Sequence, residues 1–159
     1  MSTVEEQFLA RAIDLATRNV HDGGGPFGAL IVTDEGRTFE GTNRVTANND
    51  PTAHAEVMAI RNACSSLQTF DLSGCTLYTS CEPCPLCLAA ALWARVNGIV
   101  YAADRHDAAQ AGFDDAVFYE FFAKPVEERS MQVLHVNLPE SAGAEPFRAW
   151  AELTDRIDY

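Results

Sequence analysis

Along residues 3–20 the side chains of Val4, Phe8, Ala12, Leu15, Ala16 and Val20 recur on one helical stripe, while Glu5, Glu6, Arg11 and Arg18 fall elsewhere. This period predicts an amphipathic helix, stopped by His21-Asp22-Gly23-Gly24-Gly25. The pattern then shortens. FGALIVTD (27–34) and RTFEGTNRV (37–45) read as strands joined by a tight Glu35-Gly36 hairpin. Asp50-Pro51-Thr52 opens a second helix that runs to about Cys64, and CTLYTS (75–80) is a short buried strand feeding a third helix over 84–95. GIVYAAD (98–104) is another strand; 107–124 looks helical with an interruption at Gly112. QVLHVNL (132–138) reads as a last strand before a C-terminal helix, PFRAWAELTDRI.

The order α-β-β-α-β-α-β-α-β-α predicts an α/β fold: a mixed sheet with an antiparallel first hairpin, later parallel neighbours made by helical crossovers, and helices on both faces. The 159 residues form one domain, 1–159, with no internal repeat or linker. Gly23 to Gly28 matches G-x-G-x-x-G, but a dinucleotide fingerprint needs a strand before the glycines and a helix after them. Here a helix precedes and a strand follows, so the stretch is a helix stop and turn.

Charge narrows the partners. Twenty-three acidic residues against eleven basic ones give a net charge of −12, with Lys124 the lone lysine and the arginines scattered. Nucleic-acid binders need clustered Lys and Arg for phosphate, so a small, weakly charged substrate is expected and no nucleic-acid partner. The acidic, helix-periodic N-terminus lacks the features of a signal peptide, and no apolar run approaches the roughly 18–20 residues of a membrane span. Five cysteines, three of them clustered, fit no disulfide framework; a reducing, cytoplasmic setting is expected, with no membrane partner.

Those three thiols lie in TSCEPCPLC (79–87). Pro83 and Pro85 flank Cys84 and suit the first turn of a helix, which puts Cys84 and Cys87 at i and i+3 on one face, beside the positive end. Cys81 precedes the helix and need not share that face. PTAHAE places His54 and Glu56 at the start of another helix, where both can lean toward a site beyond its end. His54, Cys84 and Cys87 suit one Zn2+ with a fourth position open to water, and Glu56, not a ligand, suits proton transfer. His-x-Glu followed about thirty residues later by Pro-Cys-x-x-Cys is the pattern of zinc deaminases. Two other readings stand beside it: a closed structural site that adds Cys81 as the fourth ligand, and metal-free packing cysteines. His21, His106 and His135 have no ligand-spaced partner.

With these residues in place the chain resembles the cytidine-deaminase superfamily, and within it the bacterial guanine deaminases. The resemblance rests on GGPFGA (24–29), DPTAHAEVMAIRNAC (50–64), LYTSCEPCPLCLAA (77–90), AGFDD (111–115) and a terminal tyrosine. It implies a three-layer α/β/α fold with a five-stranded mixed sheet, and hydrolysis of guanine to xanthine and ammonia. It also implies that Asn43 and Asp115 contact the base, Asp115 helping the proton reach the leaving amine, and that Phe27 and Trp93 wall the ring. Asp114 is a rival to Asp115. The resemblance further implies a homodimer in which the segment of about 146–159, ending in Tyr159, closes over the partner's site. Cytosine, a pterin or an aminotriazine remain alternative substrates, and adenosine in tRNA or a catalytically inert zinc scaffold remain alternative roles.

Overall fold

The structure is a computed structural model that describes residues 3–159. Two compact units divide it, 1–119 and 120–159. In the first, α1 (Thr3–His21) leads into β1 (Gly28–Val32) and β2 (Thr38–Thr42), followed by a single turn, α2 (Val45–Asn48). Next come α3 (Ala55–Leu67), β3 (Thr76–Cys81), α4 (Pro85–Trp93), β4 (Gly98–Ala103), α5 (Arg105–Gln110) and the start of α6 (Ala116–Ala123).

The sheet has four strands in the order β2-β1-β3-β4. β1 pairs antiparallel with both β2 and β3, and β3 pairs parallel with β4 across the α4 crossover. Every residue of β1 is buried because both faces are covered. Its alternate side chains serve two cores. Ala29 and Ile31 join Leu77 and the alanines of α3 and α4, Ala55, Ala59, Ala63 and Ala91. Leu30 and Val32 join Tyr78 and, from α1, Leu9 and Leu15. The three-layer α/β/α architecture expected from the sequence is thus present.

Glycines let the helices lie close to the sheet. A Cβ on Gly28 would stand 2.5 Å from the Ala12 carbonyl oxygen and 2.6 Å from the Ala16 nitrogen of α1. On the other face a Cβ on Gly41 would overlap the Ala55 carbonyl oxygen and the Ala59 nitrogen of α3.

Four differences from the sequence reading have physical causes. The fifth strand is absent: residues 132–138 pair with no strand among the described residues. Their apolar side chains, Val133, Leu134, Val136 and Leu138, are all exposed. The second helix starts at Ala55 because the Asp50 carboxylate takes the Thr52 amide and hydroxyl, making 50–54 a turn. The stripe of α1 is rotated, with Leu9 and Asn19 inside and Val4 and Val20 outside. The helix read over 107–124 is two helices, since an Asp104–Asp107 capping box starts α5 at Arg105 and α6 begins after AGFDD.

The second unit contains the second half of α6, an irregular run with two short 3-10 turns, and α7 (Glu145–Glu152). α7 stops short of residue 157, and the Arg156 guanidinium turns back to donate to the Ala151 carbonyl. Tyr159 sits against Trp150 with ring centroids 6.5 Å apart.

Candidate active site

His54 and Cys84 are N-cap residues of α3 and α4, with nearly identical extended backbones (φ −69°, ψ 154° and φ −69°, ψ 170°). Neither side chain makes a cap hydrogen bond, so ring and thiol are available to a ligand beyond both helix ends. Pro85 at the first helical position donates nothing that the cap would have to satisfy. Cys87 follows in the first turn of α4 and is buried.

The Cys84 and Cys87 sulfurs are 3.7 Å apart, and the His54 Nδ1 lies 3.5 Å from the first and 3.4 Å from the second. Zinc–sulfur and zinc–nitrogen bonds of about 2.3 and 2.05 Å in a tetrahedron imply edges of about 3.8 and 3.5 Å. The three donors therefore form one face of a zinc tetrahedron, and they are the three-residue His/Cys/carboxylate metal group among the described residues. Cys81 is not part of it. Its thiol is buried, donates to the Asp104 carbonyl at 3.6 Å, and is pushed up to about 11, chiefly by burial. The closed four-ligand arrangement does not form.

Electrostatics within the group favour anionic sulfur. Cys84 is lowered to about 4, first by its hydrogen bond with Cys87 and then by His54. Cys87 rises in turn, through its hydrogen bond with Cys84 and by burial. The hydrogen bond to Cys84 raises His54. The positive ends of α3 and α4 act in the same sense on Cys84.

Glu56 is 5% exposed, in the first turn of α3. Its Oε1 accepts from the Thr79 hydroxyl and its Oε2 from the Cys87 thiol, each at 3.3 Å. Burial raises its pKa. A buried carboxylate beside three metal donors, and not among them, is placed to exchange protons with whatever fills the fourth vertex.

A cavity of about 470 Å³ opens onto this group. Phe27, Asn43 and Asp115 line it. Phe27 packs edge-on against Phe113, centroids 5.0 Å apart. Asn43 is buried; its Oδ1 accepts the Val45 amide, and its backbone carbonyl accepts from Asn19, whose amide also bonds the Gly25 carbonyl. That bond explains why Asn19 turns inward. Asp114 and Asp115 differ: the Asp114 carboxylate accepts the Ala116 amide at the start of α6. Asp115 is half-buried, and burial, with the Cys84 thiolate next, raises its pKa while Arg105 opposes the shift.

One sequence candidate stands elsewhere. Trp93 is 70% exposed and does not line the cavity, because α4 turns Cys87 and Ala91 inward and residue 93 falls on another face. Tyr159 belongs to the second unit. Conversely, the sequence reading assigned nothing to Phe113, Phe118, Glu82 or Arg105, all of which line the cavity. Glu82 lay in view inside the cysteine motif; its partner Arg105 is 23 residues away, beyond local pattern.

Zinc donors at two helix starts, a buried carboxylate beside them and an α/β/α sandwich beneath define a class, and the comparisons agree with it. The family described as the cytidine and deoxycytidylate deaminase zinc-binding region matches residues 2–103, and the chain belongs to that family. Within it the chain is similar to the guanine deaminase of Bacillus subtilis, with 52% identity over 97% of this chain and 98% of the relative. The X-ray structure of the Bacillus subtilis guanine deaminase superposes with a TM-score of 0.92 at 51% identity, covering 100% of this chain and 99% of that one. A guanine deaminase from Nitrosomonas europaea is more distant, at 35% identity and a TM-score of 0.67, covering 72% and 66%. The tRNA-specific adenosine deaminase of Haemophilus influenzae is 35% identical over 72% of this chain and 69% of its own. The family and the relatives expected from the residue motifs are those found.

Proposed function

We propose that the chain is a zinc-dependent guanine aminohydrolase, converting guanine and water to xanthine and ammonia. The observation that carries the reading is Glu56, a buried carboxylate that touches a zinc-shaped triad without joining it, at the floor of a cavity sized for a small ligand. Full-length similarity to a guanine deaminase supports the choice of base.

In this reading His54, Cys84 and Cys87 hold the ion. When bound, zinc supplies acidification of water, to a pKa of about 7. The remaining work falls to the protein. Thr79 occupies Oε1 of Glu56, leaving Oε2, on the side of the triad, to take a proton from the attacking water. Glu56 returns that proton to the ring nitrogen beside C2; the second proton of the added water then reaches the amine, the C2–N bond breaks, and ammonia leaves as C2 becomes a carbonyl. Asn43 and Asp115 hold the polar edge of the base, and Phe27, backed by Phe113, covers its face.

Ammonia release from guanine, cytosine, adenine, ammeline and the matching nucleosides tests the proposal. Turnover is expected for guanine, and for Glu56→Ala a loss of about 10²–10⁴-fold with zinc retained. Turnover of another base alone, or an active Glu56→Ala enzyme, would overturn it.

The proposal extends to a single domain, 1–159, and to a homodimer in the cytoplasm, with 146–159 crossing to the partner's site. Support comes from apolar side chains that need cover: Leu86, Leu92 and Trp93 along the outer side of α4, and Phe147 and Ile157 in and beyond α7, are all exposed. Thiolate ligands suit a reducing compartment. A fully active monomer by sedimentation would defeat the dimer.

A further inference from the structure

Glu82 lies between buried Cys81 and the metal-donor segment, and one residue absorbs its carboxylate. Oε2 accepts the Arg105 backbone amide at 3.0 Å, while Oε1 accepts Nε at 3.1 Å and Nη2 at 2.6 Å. The pair is more than a solvated surface contact, since the Glu82 side chain is only 18% exposed and the donors share one rigid fork. The guanidinium carbon lies 4.1 Å from the centroid of the Tyr119 ring. Tyr119 closes the circuit, its hydroxyl donating to the Pro83 carbonyl at 3.3 Å. Two further bonds stitch the same loops together, Glu82 amide to Ala103 carbonyl at 2.8 Å and Cys81 thiol to Asp104 carbonyl at 3.6 Å.

The loop that delivers Cys84 and the helix that follows Asp115 are therefore joined through one side chain. Arg105 is also the one lysine or arginine in a cavity lining that holds Glu56, Glu82, Asp114 and Asp115. We infer that Arg105, clamped between Glu82 and Tyr119, is a positioning residue that sets Asp115 at a fixed place relative to the His54, Cys84 and Cys87 triad, and so sets where the purine edge is held. The inference rests on the guanine reading above, and it assigns the placement of Asp115 rather than the chemistry.

Arg105→Lys separates geometry from charge, because lysine keeps the cation and loses both the planar fork and the stacking face. A small displacement of the binding edge is expected to lower kcat/KM for guanine by about ten- to a hundredfold, mainly through KM, with zinc content unchanged. The decisive readout is a double-mutant cycle. In an Asp115→Asn background the same lysine change should cost no more than about twofold, since the edge it positions is already disabled. Glu82→Gln, which loosens the clamp from its other side, should repeat the pattern and serves if Arg105→Lys folds poorly. Where turnover of Asp115→Asn is too slow, calorimetric binding of hypoxanthine, the guanine skeleton without its amine, completes the cycle. Equal losses in both backgrounds would reduce Arg105 to general scaffolding and overturn the inference. An Asp115→Asn change that leaves guanine turnover and binding unaltered would overturn it by removing Asp115 from the base. Absence of guanine turnover in the unmodified protein would instead sink the reading beneath it.

Discussion

Replacing Gly41 with alanine tests how the fold holds its metal donors. The added methyl would overlap the backbone of Ala55 and Ala59 and sit 2.9 Å from the Ala59 Cα. None of these atoms can rotate aside. To restore ordinary contact distances α3 must retreat by about 1 Å. Overpacking of this kind costs about 1–3 kcal/mol, and at about 2–4 °C per kcal/mol for a chain of this length the Tm should fall by roughly 2–12 °C. The retreat also reaches the site. His54 caps α3, its Nδ1 lies 3.4 and 3.5 Å from the two sulfurs, and metal–ligand lengths tolerate only about 0.2 Å. Zinc affinity, measured by competition with a chromophoric chelator, should drop by about 10–100-fold, as for other losses of support behind a ligand. Gly28→Ala is the matched control: it forces α1 from the opposite face of the sheet, and α1 supplies no donor. It should lower the Tm comparably and leave zinc affinity near that of the unmodified protein. If Gly41→Ala binds zinc normally, or Gly28→Ala weakens it equally, the link from β2 through α3 to the metal is wrong.

Cys81→Ala should retain one zinc per chain, because that thiol bonds the Asp104 carbonyl and not the metal group; zinc lost on dialysis would restore the four-ligand site. In zinc-stripped protein Cys84, lowered to about 4, should stay a thiolate and react with iodoacetamide at a nearly constant rate from pH 8 down to about pH 5. A rate that falls tenfold per pH unit below pH 8, read by mass spectrometry at that residue, would refute this. Arg105 lowers the Glu82 pKa in the folded state, so the pair's stabilisation is full above the unfolded carboxylate value and lost as pH falls through the folded one. The Tm difference between Glu82→Gln and the unmodified protein should therefore be present at pH 7 and shrink below about pH 4; a difference that grows in acid would contradict the assignment.

The metal group was legible in the sequence because its information is local. Cys84 and Cys87 are one helical turn apart, and proline marks the helix start that presents them. The layers of the fold were legible for a similar reason: periods of two and of 3.6 alternate cleanly through 3–104. What remained hidden depends on distant partners. Glu82 and Arg105 are each an ordinary charged residue until β3 and β4 lie parallel and bring their ends together. The resemblance implies Trp93 as a wall of the ring, yet the angular advance of α4 carries it away from Cys87. Residues 132–138 have the composition of a strand, but a strand exists only where another supplies its ladder, and no stretch of sequence contains that fact by itself.

The three zinc donors come from the starts of only two helices, α3 and α4, which share the core beneath one face of the sheet. The residues proposed to meet the base, Phe27, Asn43 and Asp115, come from three separate connections, each outside those two helices. In the proposed reading, chemistry and selectivity therefore lie on different pieces of chain. A lineage built on this plan can exchange the connections, and with them its substrate, while the hydrolytic machinery passes unchanged from one enzyme to the next.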